Sequence, residues 1–388
     1  ENTKAWSLST CNKRRPLMSN SVIYVGVDVH KDTNSICMYD PEDSSFFAEA
    51  RLDAGTENIC KYLKKQTKDF ALEGKEFIIG YEAGPTGFGL QRGLAKKGYT
   101  CYIMAPTTIK KASGERTKTD RKDARMLAIT LATDAYKSVH VPEEEDESAK
   151  ELTRTRTALK KHLKRAKQNL LSFLLRQNKS YPFPGNYWTQ KFTAWLDSLV
   201  FTDKRLQYSL ETYRQEIRDL NNKIEQMDSF IEEIATSERF KEKVDKLVCF
   251  SGIDTQTALS VVCEIGDFNR FATPEQFSSF LGLVPGQESS GKTVRYTGIT
   301  KTGNSRLRLL LIEATKAIKR SNPYNKSKRI KERQAGQSPE VIAYADKGTK
   351  RIKAKMKNME GNGKNENVST AAGARELSCF IWGMMTGR

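Results

Sequence analysis

From residue 21 to about 135, short β-branched runs alternate with segments whose apolar residues recur every three or four positions. "SVIYVGVDV" predicts a buried strand, with Val22, Ile23, Val25 and Val27 as its apolar positions. "NSICMYD" and "SSFFAEARL" predict two more strands joined by short turns. "TENICKYLKKQ" then reads as a helix, "KEFIIGYEA" as a strand, "GFGLQRGLAKKG" as a helix, "YTCYIMAP" as a strand and "DRKDARMLAITLAT" as a helix.

The pattern changes at 143–150, where "EEEDESAK" forms an acidic break. The following thirty residues, 151–180, carry nine Lys/Arg and one acid, with Leu159, Leu163, Ala166 and Leu170 at helical spacing. They predict a helix with a basic face, which "YPFPGNYW" breaks. From 203 the apolar residues Leu206, Leu210, Tyr213, Ile217, Leu220, Ile224, Met227, Ile231 and Ile234 alternate in steps of four and three. Such a heptad predicts a coiled-coil seam, read as an antiparallel hairpin of 151–176 against 203–236 that can double as a dimer contact. The alternative is a long helix packed on its own domain. From 241, "LVCFSGIDTQTALSVVCEIGDFNRF" resembles a helix-hairpin-helix, whose glycine would let backbone amides approach a phosphate. A helix, a Gly/Ser-rich loop and another helix follow, then a flexible insertion at 361–367 and a last helix from Ala371.

The expected fold class is therefore α/β plus α. Three meandering strands followed by αβαβα is the order of a ribonuclease-H-like (RuvC-like) domain at 21–145. A helical hairpin at 146–240 and a mainly helical domain at 241–388 complete the chain. Residues 1–20 are expected to be a disordered extension, with Met18 as a natural start.

Charge narrows the function. The 388 residues hold 65 Lys+Arg against 47 Asp+Glu, a formal +18 with pI ≈ 9.4. An excess of this kind suits a polyanion, because lysines and arginines displace counterions condensed on phosphates. No apolar span is long enough to favour a membrane, and the opening residues lack a signal-peptide core. A second basic tract at 301–333 has eleven Lys/Arg against two acids. Seven scattered cysteines form no CxxC pair and there are only three histidines, which argues against a disulfide framework, a zinc site or a histidine-rich metal site. A reducing, cytoplasmic setting fits.

Asp28 interrupts an apolar strand, so its carboxylate needs a partner, a cation or water. Glu82 ends another strand just before Gly84 and Pro85, where the ligand crevice of an open α/β sheet lies. Asp120 and Asp123, i and i+3 at a helix start, project from one face. Each alone has a structural reading: an edge-strand aspartate, a turn residue, acids set against a helix dipole. Converged, the four would repel one another unless hard cations neutralise them, and Mg²⁺ with its oxygen ligands does so, Mn²⁺ being the alternative. His30 and Lys31 are given at most a phosphate contact.

"YVGVDVHKDT", "GYEAGPTGFGL", "RTKTDRKDARMLA" and "FLGLVPGQESSGKTVRYTGITKTGNSRLRLLLIEA" together resemble the bacterial transposases of insertion-sequence family 110, in the family's order and over nearly everything from Met18 onward. The site-specific DNA invertase Piv is a relative of that family. The resemblance implies that Asp28, Glu82, Asp120 and Asp123 form its metal-binding DEDD tetrad, and that Ser290, beside Ser289, is its serine. A serine hydroxyl can attack phosphorus and conserve the bond energy for rejoining another strand. Lys292, Arg295, Lys301, Arg306 and Arg308 would then stabilise charge on the phosphoryl oxygens. The DEDD site of this or a partner subunit is the expected activator of the serine. The resemblance further implies donor and target DNA, a noncoding bridge RNA that pairs with both, and a dimer or tetramer. Lys160, Lys161, Lys164 and Arg165 in the first basic tract are expected on nucleic-acid backbones, a solvated face being the alternative. Tyr181, Phe183, Tyr187 and Trp188 are read as base-stacking groups or as packed aromatics. Two rival functions stand beside this one: a metal-dependent structure-selective nuclease, and a non-catalytic nucleic-acid scaffold.

Overall fold

A computed structural model of the chain describes residues 22–106, 109, 119–290 and 293–388. The expectation for residues 1–20 and the call on Lys292 lie outside the described residues. Contacts divide the chain into two compact units, with the boundary between Val141 and Pro142.

The first unit is built on one sheet of β1 (Val22–Val29), β2 (Thr33–Asp40), β3 (Ser45–Asp53), β4 (Glu76–Glu82) and β5 (Thr100–Met104). Their order is β3-β2-β1-β4-β5. β1 to β3 form the antiparallel meander, and β4 and β5 run parallel to β1. Helices α1 (Thr56–Asp69), α2 (Gly89–Lys96) and α3 (Asp120–Ala132) are interleaved as the periodicity predicts. Side chains alternate across the sheet. Ile23, Val25, Val27, Ile79 and Tyr81 form one core with Ile59 and Leu63 of α1 and Leu94 of α2. The other face carries Gly26 and Gly80, and α3 lies directly on it. A Cβ on Gly26 would fall 2.1 Å from the Ala124 carbonyl oxygen, and one on Gly80 would fall 2.9 Å from Leu131 Cδ2. Glycine weakens a strand by roughly 0.5–1 kcal/mol, so its use at two central positions reflects that close approach.

The second unit opens with α4 (Glu144–Arg176), which starts seven residues before the expected 151. The acidic stretch is no break. Glu144, Glu145, Asp146 and Glu147 form the first turn of α4, where negative charge complements the helix dipole. α5 (Gln190–Ser198) was not foreseen, and α6 (Lys204–Ala235) follows it. α4 and α6 pack antiparallel: Phe173 stacks on Tyr213 at 5.5 Å, while Arg156 Nη2 meets Asp228 Oδ2 at 3.0 Å nearer the opposite end. Every seventh residue of α6, Leu210, Ile217, Ile224 and Ile231, is buried. The first three of these share a core with Leu163, Ala166, Leu170 and Phe173 of α4. Tyr181, Trp188 and Trp195 gather around buried Phe192 with centroids 5.1–5.5 Å away, so much of this aromatic run is packing.

A larger core joins Ala149 of α4 and Ile231 and Ala235 of α6 to α7 (Glu238–Leu247), α8 (Thr255–Ile265), α9 (Pro274–Phe280), α10 (Ser305–Arg320), α12 (Pro339–Gly361) and α13 (Glu366–Thr386), with α11 (Lys328–Gln334) between α10 and α12. The turn between α7 and α8 contains Gly252 at φ +92°, where a Cβ would lie 2.4 Å from the Ala314 carbonyl oxygen. The close approach this glycine permits is that of α10, not of a phosphate. The expected insertion at 361–367 is the meeting of two helix ends, separated by residues 362–365. The Gly/Ser-rich loop is a two-stranded antiparallel hairpin, β6 (Pro285–Ser290) and β7 (Thr293–Ile299). Among the described residues no helix is long and apolar enough to cross a membrane.

Candidate active site

Of the predicted carboxylates, Asp28 and Asp120 come together at one end of the first sheet, Asp123 is near enough to act on the Asp28 carboxyl, and Glu82 ends the neighbouring strand. In the parallel β1–β4 pair Val27 is opposite Tyr81, which brings Asp28 and Glu82 to adjacent strand ends. Alternation places both on the Gly26/Gly80 face, beneath the first turn of α3. Thr119 caps that helix by accepting from the Lys122 amide, and Asp120 and Asp123 lie in its first turn. An open cleft of about 940 Å³ at this edge is lined by Asp28, His30, Lys31, Asn34, Thr56, Glu82 and the turn after it.

Two features that were not singled out in the sequence hold α3 in place. One is the glycine pair just described. The other is Glu49 on β3, which forms ion pairs with both Arg121 and Arg125 of α3. The β2–β3 register shifts between Ile36 and Met38, and Ala48 takes φ 49°. A bulge of this kind re-aims the next side chain, and here that side chain is Glu49. The mid-strand glycines were the legible signal for the close helix.

The electrostatics fit a bound cation. Burial pushes the Asp28 carboxyl above the usual carboxylate range; His30 opposes this, and the charges of Asp123 and Asp120 add to it. Oxygens of Asp28 and Asp120 and a nitrogen of His30 lie within 4.8 Å of one another. His30 Nε2 is 3.1 Å from Asp28 Oδ2 and 3.7 Å from Asp120 Oδ1. A half-desolvated carboxylate among like charges, with donor atoms this close, suits a divalent metal.

The serine candidate lies in the second unit. Ser290 ends β6 opposite Thr293, at the tip of an exposed hairpin, and its side chain lies outside what is described. The Ser289 hydroxyl accepts a hydrogen bond from Gln287 Nε2 at 2.9 Å. Arg295 and Lys301 are exposed, Arg295 opposite Glu288 in the register. Arg308 is turned inward: Nη1 donates to the carbonyls of Leu281 at 2.8 Å and Thr302 at 3.0 Å, closing the base of the hairpin.

Arg306 is also turned inward. Glu264, its side chain 1% exposed, receives Arg154 Nε at 2.8 Å and Nη2 at 3.1 Å, Arg306 Nη1 at 3.0 Å and Asn304 Nδ2 at 3.0 Å, with Lys150 Nζ at 3.6 Å. Arg306 Nη2 donates further to the Thr153 carbonyl at 2.7 Å. These bonds tie α4, α8 and α10 together, so Arg306 acts inside the unit and is not presented to a nucleic acid. Lys160, Lys161, Lys164 and Arg165, by contrast, are all exposed on α4, opposite its buried Leu163, Ala166 and Leu170.

Known proteins are similar to this chain in sequence. Residues 25–178 match a transposase family model of the DEDD type for insertion-sequence family 110, and residues 245–330 match the model of the IS116/IS110/IS902 transposase family. The chain is 34% identical to the transposase of insertion element IS1533 from Leptospira borgpetersenii, across 87% of this chain and 96% of that one. It is 32% identical to the y4qE transposase of Sinorhizobium fredii, across 92% and 87%. A third relative, the transposase of IS1111A from Coxiella burnetii, is 26% identical over 81% and 82%. Both family models fall on the segments that carry the acid cluster and the serine hairpin, and so the chain belongs to the IS110 family of insertion-sequence transposases, enzymes that cleave and transfer DNA.

Proposed function

We propose that this transposase moves its element by RNA-guided strand exchange, with a divalent metal, Mg²⁺ first, held at Asp28, Glu82, Asp120 and Asp123, and with Ser290 forming a covalent phosphoserine link to DNA. The observation that supports the reading is the convergence of Asp28 and Asp120, from a strand and a helix far apart in sequence, to within 4.8 Å of one another. The metal would supply Lewis-acid stabilisation of charge on a phosphodiester. The residues themselves do the placing. Strand ends fix Asp28 and Glu82, and the Glu49 clamp and glycine contacts fix the turn that bears Asp120 and Asp123. On the hairpin, Arg295, opposite Glu288 and two pairs from Ser290, would meet the phosphate that Ser290 attacks, whereas Lys301, expected there, lies at the hairpin's base with its amide on the Gly282 carbonyl, and Arg308 closes that base. The hydroxyl proton requires an acceptor; Glu288 is the one acid in the described hairpin strands, and this reading keeps the DEDD carboxylates, of this or a partner subunit, as the serine's activator.

In this reading residues 21–145 act as a RuvC-like domain, the α4–α6 pair as a coiled-coil hairpin and residues 241–388 as the serine-bearing domain. The enzyme works in the cytoplasm as a dimer or tetramer. The basic face of α4 grips the backbone of a bridge RNA, whose base pairing with donor and target DNA carries sequence choice.

The test combines purified protein, Mg²⁺ and labelled donor and target duplexes, with and without RNA transcribed from the element. Joined donor–target product is expected only when metal and RNA are both present. The quadruple variant Lys160→Ala, Lys161→Ala, Lys164→Ala, Arg165→Ala is expected to bind that RNA at least about tenfold more weakly, with a shallower salt dependence. Cleavage without joining, indifferent to RNA, would replace this reading with a structure-selective nuclease. Binding with no cleavage at all would leave a scaffold.

A further inference from the structure

Between Asp28 and Asp120 sits a nitrogen donor that the four-carboxylate pattern does not include. His30 Nε2 lies 3.1 Å from Asp28 Oδ2 and 3.7 Å from Asp120 Oδ1. Ligand atoms bound about 2.0–2.2 Å from one ion lie roughly 3–4 Å apart, and both separations fall in that range. The ring is also well placed by its backbone. His30 opens the tight turn from β1 to β2, its amide donating to the Thr33 carbonyl at 2.9 Å, and the turn is tied on by the Ala54 amide to the Asp32 carbonyl, also at 2.9 Å. The side chain is about half exposed, so an entering ion can reach it.

We propose that His30 is a direct ligand of the ion held by Asp28 and Asp120, making the site a mixed nitrogen–oxygen one. This rests on the reading of the acid cluster as a metal site. Its consequence is selectivity. Mg²⁺ is served by oxygen donors alone, whereas imidazole adds affinity for first-row transition ions. The site therefore holds Mn²⁺ more tightly than Mg²⁺, and His30 is the residue that sets the difference.

The experiment uses the full chain, free of nucleic acid, at one fixed pH. Mn²⁺ binding is followed by loss of the free-ion paramagnetic resonance signal, Mg²⁺ binding by competition, and ligand identity by ¹⁴N modulation of the bound Mn²⁺ echo. In the wild type, bound Mn²⁺ is expected to show histidine ¹⁴N modulation. His30→Ala is expected to lose the modulation and about tenfold in Mn²⁺ affinity, with Mg²⁺ affinity changed less than threefold. His30→Gln, which keeps bulk and an oxygen, also loses the modulation, and circular dichroism confirms that both variants fold. Bound Mn²⁺ without ¹⁴N modulation, or equal losses for both ions, would overturn the role of His30 and leave the acid site intact. No Mn²⁺ binding to the wild type, or binding that Asp28→Asn leaves unchanged, would overturn the metal site and this inference with it.

Discussion

Asp28→Asn is expected to lower the rate of DNA strand cleavage by about 10³-fold while leaving the fold intact. Metal-assisted stabilisation of phosphoryl charge contributes several kcal/mol, and each 1.36 kcal/mol is a factor of ten in rate. Asparagine preserves shape and one acceptor oxygen but removes the charge that would hold the proposed cation. The effect on stability has the opposite sign. Burial, together with Asp123 and Asp120, raises the carboxyl's pKa in the folded state against the opposing pull of His30. The ionised form is therefore the disfavoured one above the ordinary aspartate range, and a neutral side chain relieves that cost. Cleavage rate and thermal midpoint measured on the same preparation check this: activity falls, and the midpoint stays level or rises. A midpoint that falls with activity would mean that Asp28 is a structural residue.

The second large effect is expected at Glu264. Glu264→Ala removes the carboxylate that Arg154 and Arg306 share and leaves cationic groups partly buried without their partner. Breaking a buried ion network from one side costs about 3–5 kcal/mol. Glu264→Gln, which still offers one acceptor, is expected to lose less. The pH dependence follows. Burial pushes this carboxyl's pKa up, but the hydrogen bonds and charges of Arg154, Lys150 and Asn304 outweigh it and hold the value below the ordinary 4.5. A depressed acid contributes stability above its unfolded value and loses it as the pH falls through the folded one. Urea unfolding of wild type and both variants at neutral pH and below pH 4 checks this. The variants' deficit narrows in acid, whereas a deficit unchanged by acid would place the effect in packing alone.

Much of the architecture was legible because local patterns agreed with the final packing. The first sheet follows from β-branched runs and the seam of α6 from unbroken seven-residue spacing. What was missed depended on partners distant in sequence. "EEEDESAK" reads as a break by composition, yet four acids suit a helix start once they open a helix of 33 residues. The Gly/Ser-rich stretch after Pro285 reads as loop because glycine and serine dominate, while the pairing of β6 with β7, up to Ser290 opposite Thr293, makes two strands of it. Asp28, Glu82, Asp120 and Asp123 could be singled out by order and spacing, and Asp28 and Asp120 do come together, though nothing local revealed that His30 would lie between those two. Arg306 and Arg308 look like surface cations in a basic tract. Only the position of Glu264 on α8, and of the Leu281 and Thr302 carbonyls, turns them inward.

The most direct test of the proposed chemistry is capture of a covalent protein–DNA adduct. Wild type, Ser290→Ala, Ser289→Ala and Asp28→Asn are incubated with Mg²⁺, the element's RNA and end-labelled donor and target DNA, then denatured and resolved with and without protease. A protease-sensitive adduct in wild type and Ser289→Ala, absent from Ser290→Ala and Asp28→Asn, is the predicted result. Cleaved DNA with no adduct, equal in wild type and Ser290→Ala, would contradict the phosphoserine mechanism.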